Sequence, residues 1–465
     1  MNRNAALMIL GLVFSFVPLS STSPLEEELA KLRQAGIPAS IEELNLSDIP
    51  DKENGALVYR EVFKMIDDLH KQHKEEWEYI PYQGNIKWEV VPEAQQKKVT
   101  DLVLYDSGFM EMYRLATKAI DMKCRFYPKD DYFDYLTINE SLLPKILPDM
   151  TSFRNLERLL MAKAKLEAEI GETDKSLQTI LTGLKIARAP CSDVPLMTSQ
   201  LVRIAMDTLA LEELRNTNEK GLGDAASYRA LVNEMRKSRE ESLIYSALKF
   251  EVFFVIQMYD WLKADMGGKL AKLNEEEKKK AIEKMKKERP DITEDYIKSI
   301  IENPEKLVSN QRLAHLRTMR QVLSILKTPY QKFVEDMKNI EVELKKAPSS
   351  ETAMPLMLLP TISRAYLQEC KDKACLGAAE IGLANRIYRQ QHGAFADSLK
   401  QLTPDILPAL PLDPFTGKDY IYKKTAKGFI VYSVADNLKD DGGVWGKPSK
   451  WQGDFDIVWE DTGLK

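Results

Sequence analysis

The chain has 465 residues, 44% hydrophobic and 29% charged, with 66 basic against 71 acidic side chains and a formal net charge of −5. That length admits two or three domains of ~100–200 residues each, and the composition is that of a folded globular chain, not a disordered one. The near balance of charge gives no electrostatic ground for nucleic-acid or anionic-membrane binding, and four cysteines are too few to form a disulfide scaffold.

The chain opens with MNRNAALMILGLVFSFVPLSSTSP. Arg3 supplies a short positive region, Ala5 to Val17 are uncharged and apolar, Pro18 breaks the run, and Ser20 to Ser23 are small. This layout predicts a secretory signal over 1–23 and an exported mature chain, periplasmic or extracellular. The apolar run is shorter than the ~20 residues of a spanning helix, so no stable membrane span is expected after cleavage; an uncleaved anchor is the alternative. No cysteine follows the run, which argues against a lipoprotein anchor. Ser23-Pro24-Leu25-Glu26 then reads as N-cap, N1 proline and N3 glutamate of a first helix.

ALVYREVFKMIDDL (56–69) carries apolar residues at helical spacing. Residues 79–95 hold two prolines and a glycine, predicting a loop or short extended piece, and 96–122 return to helix. From 142 to about 262 helix follows helix. Within 156–190 one helix runs to Ile170, Gly171 opens a tight turn, Asp174 caps the next helix and Pro190 ends it, predicting an antiparallel helical hairpin. A second, less regular pair falls at 196–216 and 224–240. Residues 246–262 are strongly apolar but contain Lys249, Glu251 and Asp260, so a buried helix is expected there and not a span. Gly267-Gly268 opens a charged stretch, 266–310, with Asn274 and Glu277 as a capping pair; interleaved opposite charges predict a solvated helix. Residues 344–355 read as a linker. Another helical pattern, interrupted near Pro355 and Pro360, leads to Gln391. Cys370 and Cys375 sit in it five positions apart, roughly 8–9 Å between Cα atoms on a helix and beyond disulfide reach.

The C-terminal part has a different logic. Gly393 is available for a left-handed C-cap, Asp397 is placed to cap a short helix containing Leu399 and Leu402, and Leu412 to Gly417 form a turn. DYIYKK (419–424) and FIVYSV (429–434) are strand-like and joined by a short turn, a β-hairpin, with a third strand from Asp456 to Trp459. Such a sheet needs a cover for its apolar face, and the preceding helix is the natural one. The expected fold class is mainly α. A helical repeat-like body spans 24–350, with 266–310 a charged insertion. A connecting helix covers 351–375, and a small α+β domain with a short antiparallel sheet occupies 376–465.

Two resemblances attach to these residues. Leu160, Ala164, Gly171, Ile180 and Leu184 fall where a tetratricopeptide unit places its large, small, turn and core residues; Ser176 and Glu167 depart from that pattern. One such hairpin makes the body repeat-like and no more, since a solenoid wants about three or more repeats. The C-terminal motifs run in order: Tyr388-Arg389 to Gly393, Leu399 and Leu402, Leu412-Asp413-Pro414-Phe415 to Gly417, Tyr420 and Tyr422, Ser433 to Gly443, and Asp456-Ile457. Together they resemble the globular head of the major pseudopilin of type II secretion. The whole layout is similar to uncharacterised secreted proteins of planctomycete-type bacteria. Pseudopilins begin with a cleaved Gly-Phe-Thr-Leu-x-Glu segment and assemble on the long apolar helix that follows. This chain has neither at its start, so the resemblance implies a head used without its polymerising stem.

The resemblance also implies calcium in the final loop. Asp436, Asn437, Asp440, Asp441, Asp454 and Asp456 would supply oxygens, with Ser433 and the Leu438 carbonyl as further donors and Gly442 and Gly443 letting the backbone bend. Lys439 inside the loop and the long insert 445–453 depart from the family, and a solvated Asp/Asn/Gly turn is the alternative. Calcium would staple the hairpin to the last strand, not catalyse.

Other chemistry is sparse. His70, His73 and Glu76 share a helical spacing but have no third convincing ligand nearby and read as a solvated face. His315, between Arg312 and Arg317, reads as surface, and His392 as part of a helix end. No HExxH, GxSxG, P-loop or Rossmann pattern occurs, and no catalytic residue is assigned. Trp77, Tyr79, Tyr82 and Trp88 beside Glu76, Glu78 and Glu89 suit either a sugar groove or simple packing. The expectation is an exported, non-catalytic protein with a protein partner in the cell envelope. The alternatives are an exported carbohydrate-active hydrolase or lyase and an accessory part of a secretion apparatus.

Overall fold

A computed structural model describes residues 23–40, 42–44, 48–84, 86–127, 143–191, 195–270, 273–288, 294–444 and 455–463. Residues 1–22 of the export signal expected over 1–23, and the candidate ligand Asp454, lie outside the described residues. Fifteen helices occur among those described: α1 Pro24–Gln34, α2 Gly55–Gln72, α3 Lys74–Trp77, α4 Glu93–Tyr105, α5 Ser107–Ala119, α6 Leu143–Glu169, α7 Thr173–Ile186, α8 Met197–Lys220, α9 Ala225–Glu240, α10 Leu243–Leu270, α11 Glu275–Glu288, α12 Glu294–Glu302, α13 Pro304–Ile325, α14 Tyr330–Lys346 and α15 Ser349–His392. Strands β1 Ile421–Lys424, β2 Phe429–Ser433 and β3 Ile457–Asp461 form an antiparallel meander in that order. The fold is mainly α with a small α+β C-terminal part, as the sequence predicts.

Local signals set several boundaries. Ser23 and Glu26 each accept the other's backbone amide on a side-chain oxygen in a capping box at the start of α1, and Asn274 with Glu277 do the same before α11. Gly171, at φ +83°, makes the left-handed turn between α6 and α7. Asp174 does not cap its own helix. Its Oδ1 accepts from the Asp224 amide at 2.8 Å, tying the first hairpin to the α8–α9 turn. Gly393, at φ +79°, ends α15 as expected. Ser398, not Asp397, caps the short turn Leu399–Leu402, while Asp397 pairs with Lys424.

Helix α15 organises the molecule. Its 44 residues span about 66 Å. Two residues separate it from the end of α14, so the expected linker at 344–355 shrinks to Ala347-Pro348, and Pro355 and Pro360 lie inside the helix without ending it. Burial of Leu359, Ile362 and Tyr366 holds this half in place against the helix-breaking tendency of proline. The expected junction at 375/376 falls within the same helix. One core gathers apolar residues of α2 and α4 to α9 with the C-terminal half of α15 and the sheet. A second gathers α1, α10, α13 and α14 with its N-terminal half, and also takes in Phe415 and Ile457.

The sheet is seated on α15 by close approach. A Cβ on Gly382 would lie 2.2 Å from Trp459 Nε1, and one on Gly377 2.3 Å from Tyr420 Oη, so both aromatic groups need a bare backbone beneath them. From the body, Arg215 donates to the Val458 carbonyl at 2.9 Å and covers the Trp459 ring at 5.1 Å. The Leu412–Gly417 turn is also a joint. Buried Asp413 accepts from the Phe415 amide at 2.8 Å and from Ser433 Oγ at 2.9 Å. The carbonyls of Pro414 and Phe415 then accept from the Tyr330 and Gln331 amides at 2.9 and 3.0 Å. Those are orphan donors in the first turn of α14, so the turn caps a distant helix.

None of the four cysteines is joined in a disulfide. Among the described residues no single helix is long and apolar enough to cross a membrane. The bent pair 225–240 and 243–260 reaches that composition only when taken together, and its Tyr228, Leu231, Phe253 and Phe254 are buried in the core.

Candidate functional site

The acidic loop after β2 brings most of its predicted donors together but not around one point. Asp436 faces Lys371 at 3.2 Å. Asp440 accepts from Tyr432 Oη and the Gly442 amide, both at 2.9 Å. Asp441 accepts from Asn437 Nδ2 at 2.7 Å. Asp456, 2% exposed, takes the Gly443 amide at 2.8 Å and the Asp441 amide at 3.5 Å. Gly442 and Gly443 both have φ +83°, the bend expected of them. Each described carboxylate is therefore engaged by a protein donor. Burial, outweighing these amide bonds, raises the Asp456 carboxyl, and the charges of Asp441 and Asp440 add to the rise. The donors suit a hard cation in kind, but among the described residues no group of three His, Cys, Asp or Glu side chains is arranged to hold a metal ion.

The same holds at 70–89. His70 stacks on Trp77 with centroids 4.7 Å apart, and His73 and Trp77 lie against Phe109. Trp77 and Trp88 are buried in the first core, and Tyr82 Oη is bonded to Glu213 on α8. These aromatics pack an irregular segment onto the body.

An open groove does exist elsewhere, over α6 between α5 and α7. Its volume is about 630 Å³. Tyr105, Met110 and Ile170 stand at its rim, 65%, 52% and 47% exposed, which is unusual for large apolar side chains gathered around one concavity. The floor is polar but self-satisfied. Lys163 pairs with Glu167, Thr179 donates to Glu167 at 2.7 Å, and the Lys163 ammonium lies 5.6 Å from the Tyr113 ring centre. Lys175 pairs with Glu172 at 3.2 Å and Arg114 with Glu111 at 2.6 Å. Glu167, the residue that departs from the tetratricopeptide pattern, is thus the anchor of this floor.

A third cluster lies out of solvent's reach. Glu157 on α6, Asp207 on α8 and Asp372 on α15 are 0%, 0% and 5% exposed. Among the described residues, both carboxylate oxygens of Glu157 and of Asp207, and Oδ1 of Asp372, have no hydrogen-bond partner. Arg203 approaches Asp207 only to 3.7 Å and spends its closer contact, 2.5 Å, on Glu241. Burial raises Glu157 well above the usual carboxylate range, and the charge of Asp207 adds to it. Burial likewise pushes Asp207 up to about 6 against the pull of Arg203, and raises Asp372. Such a cluster can hold protons, but no substrate can touch it.

Neither the groove nor this cluster is visible in the sequence as a motif, because the groove is assembled from α4 to α7 and the cluster from α6, α8 and α15. Comparison of the chain with known proteins finds no matching family model, no matching curated protein and no matching solved structure.

Proposed function

We propose that this chain is an exported, non-catalytic protein that binds a partner protein in the cell envelope through the groove between α5 and α7. The supporting observation is the exposed apolar rim of Tyr105, Met110 and Ile170 over a floor whose charges are already paired. A charged metabolite would find no free counter-charge on Lys163, Glu167, Lys175 or Glu172. A short segment of a partner that inserts apolar side chains would gain burial there, at ~25 cal/mol per Å² of apolar surface. The leader-like residues 1–23 support export.

The groove is tested by selecting displayed peptides on the full chain and measuring them against Ile170→Asp and Met110→Asp. Both side chains are surface-exposed, so the fold is expected to stand, as circular dichroism would show. Selected peptides should carry large apolar anchors and bind either variant at least ~10-fold more weakly, the equivalent of about 1.4 kcal/mol. Peptides that bind wild type and variants alike would remove the groove from the proposal.

A calcium staple is a separate proposal, which the loop's contacts do not favour. The ion would have to take Asp440, Asp441 and Asp456 from their present donors. Thermal melts in excess calcium and in chelator are expected to coincide. An upward shift in calcium that Asp456→Asn abolishes would install the ion.

A further inference from the structure

A smaller pocket, of about 130 Å³, lies where α8, α10, α13 and α15 meet, with exposed Thr361 at its edge. Seven of its ten lining residues are apolar, Leu248, Met319 and Ile362 among them, and the polar ones are His315, Glu251 and Thr361. The expectation that His315 is a surface residue is overturned: it is 1% exposed. Its Nδ1 faces Tyr259 Oη at 3.3 Å, with the two rings edge to face, and its Nε2 has no partner among the described residues. Burial pulls the imidazole down to about 4, so it is neutral at physiological pH; one ring nitrogen then donates and the other accepts. The Glu251 carboxylate is turned to the Met197 amide at 2.8 Å.

Water is a poor filling for this space. Each molecule takes ~30 Å³ of liquid volume and needs about two to four polar partners. Inside the mouth, His315 and Glu251 supply partners for one. The rest of the wall is apolar, and an apolar-walled cavity of about 150 Å³ takes a benzene-sized guest. We propose that this pocket binds a small, mostly apolar molecule of about one ring that carries a hydroxyl, the hydroxyl pairing with His315 Nε2 and the ring lying against Leu248, Met319 and Ile362. A hydroxyl serves either tautomer, because it both donates and accepts.

The test uses the full chain, calorimetry, and phenol and benzene as probes. Phenol is expected to bind ~10-fold more tightly than benzene, the order set by leaving one buried polar atom unpaired. His315→Phe keeps an aromatic ring but loses both nitrogens, and should bring phenol down to the affinity of benzene. Should that variant fail to fold, the wild-type preference and the shift of the His315 Nε2 nitrogen resonance on adding phenol carry the decision. Equal affinities for the two probes, an unmoved Nε2 resonance, or a pocket holding ordered water only and neither probe would overturn the assignment.

Discussion

An Arg386→Met variant is expected to lose about 3–5 kcal/mol of stability, the cost of stripping one partner from a buried ion pair. Arg386 is 5% exposed on α15, and its guanidinium joins four elements. Its Nε donates to Asp461 Oδ2 on β3, Nη1 to Tyr228 Oη on α9 at 3.0 Å, and Nη2 to the Asn218 carbonyl on α8 at 2.9 Å. Methionine matches the length of the stem and fills most of the space, so a cavity contributes little. What remains is Asp461, 5% exposed, with only the Gly463 amide at 2.9 Å, among the described residues, to hold its charge. Adding Asp461→Asn to the variant removes that stranded charge and is expected to return a substantial part of the loss. Urea midpoints followed by circular dichroism measure both. A loss below ~1 kcal/mol in the single variant would mean that Asp461 finds water and that the pair behaves as an exposed one.

This joint bears on what the sequence makes legible. Signals that act within a few residues are read correctly: the Ser23 and Asn274 capping boxes, the left-handed Gly171 and Gly393, and the β-hairpin with its third strand. Signals that act across the chain are misplaced. Asp174 and Asp397 look like local caps, yet their carboxylates serve Asp224 and Lys424. Pro355 and Pro360 look like breaks, yet packing of the surrounding turns on α13 and α14 outweighs the lost hydrogen bonds. For the same reason the C-terminal sheet reads as self-contained in sequence and yet shares its core with α8 and α9: the residue that binds them, Arg386, looks like any helix-surface arginine.

The candidate sites divide the same way. The acidic loop is legible as a turn because Asp, Asn and Gly act locally. The groove is not, because Met110 is an ordinary residue of α5 and Ile170 an ordinary residue of the α6–α7 turn until those helices are set side by side. His315 is obscured in the sequence by its charged neighbours Arg312 and Arg317, although Val308, Gln311, His315, Met319 and Val322 recur on one helical face, and all five are buried.

The interior carboxylates lead to the second large effect. Glu157→Gln is expected to stabilise the protein at neutral and alkaline pH, and not at acid pH. Glu157 is fully buried, and its carboxyl occupies space that a side chain on Gly183 would claim: a Cβ there would stand 2.5 Å from Glu157 Oε1. Unfolded, the group titrates at its ordinary value of 4.5; folded, burial and the charge of Asp207 raise it well above that. Between the two values the folded chain therefore binds one proton more than the unfolded chain. The sign follows: this group's contribution is most favourable below pH ~4.5, and stability then falls with rising pH by about 1.4 kcal/mol per unit until the folded group itself titrates. Glutamine has the same shape and no proton to lose, so the variant escapes that fall. Its gain over wild type should exceed ~1 kcal/mol near pH 7.5 and shrink to nothing near pH 4. Paired urea titrations across that range read the difference directly. A gain that does not vary with pH, or a variant weaker than wild type throughout, would show that Glu157 is ionised in the folded chain and held by Arg203 or by water, so that the cluster stores no proton.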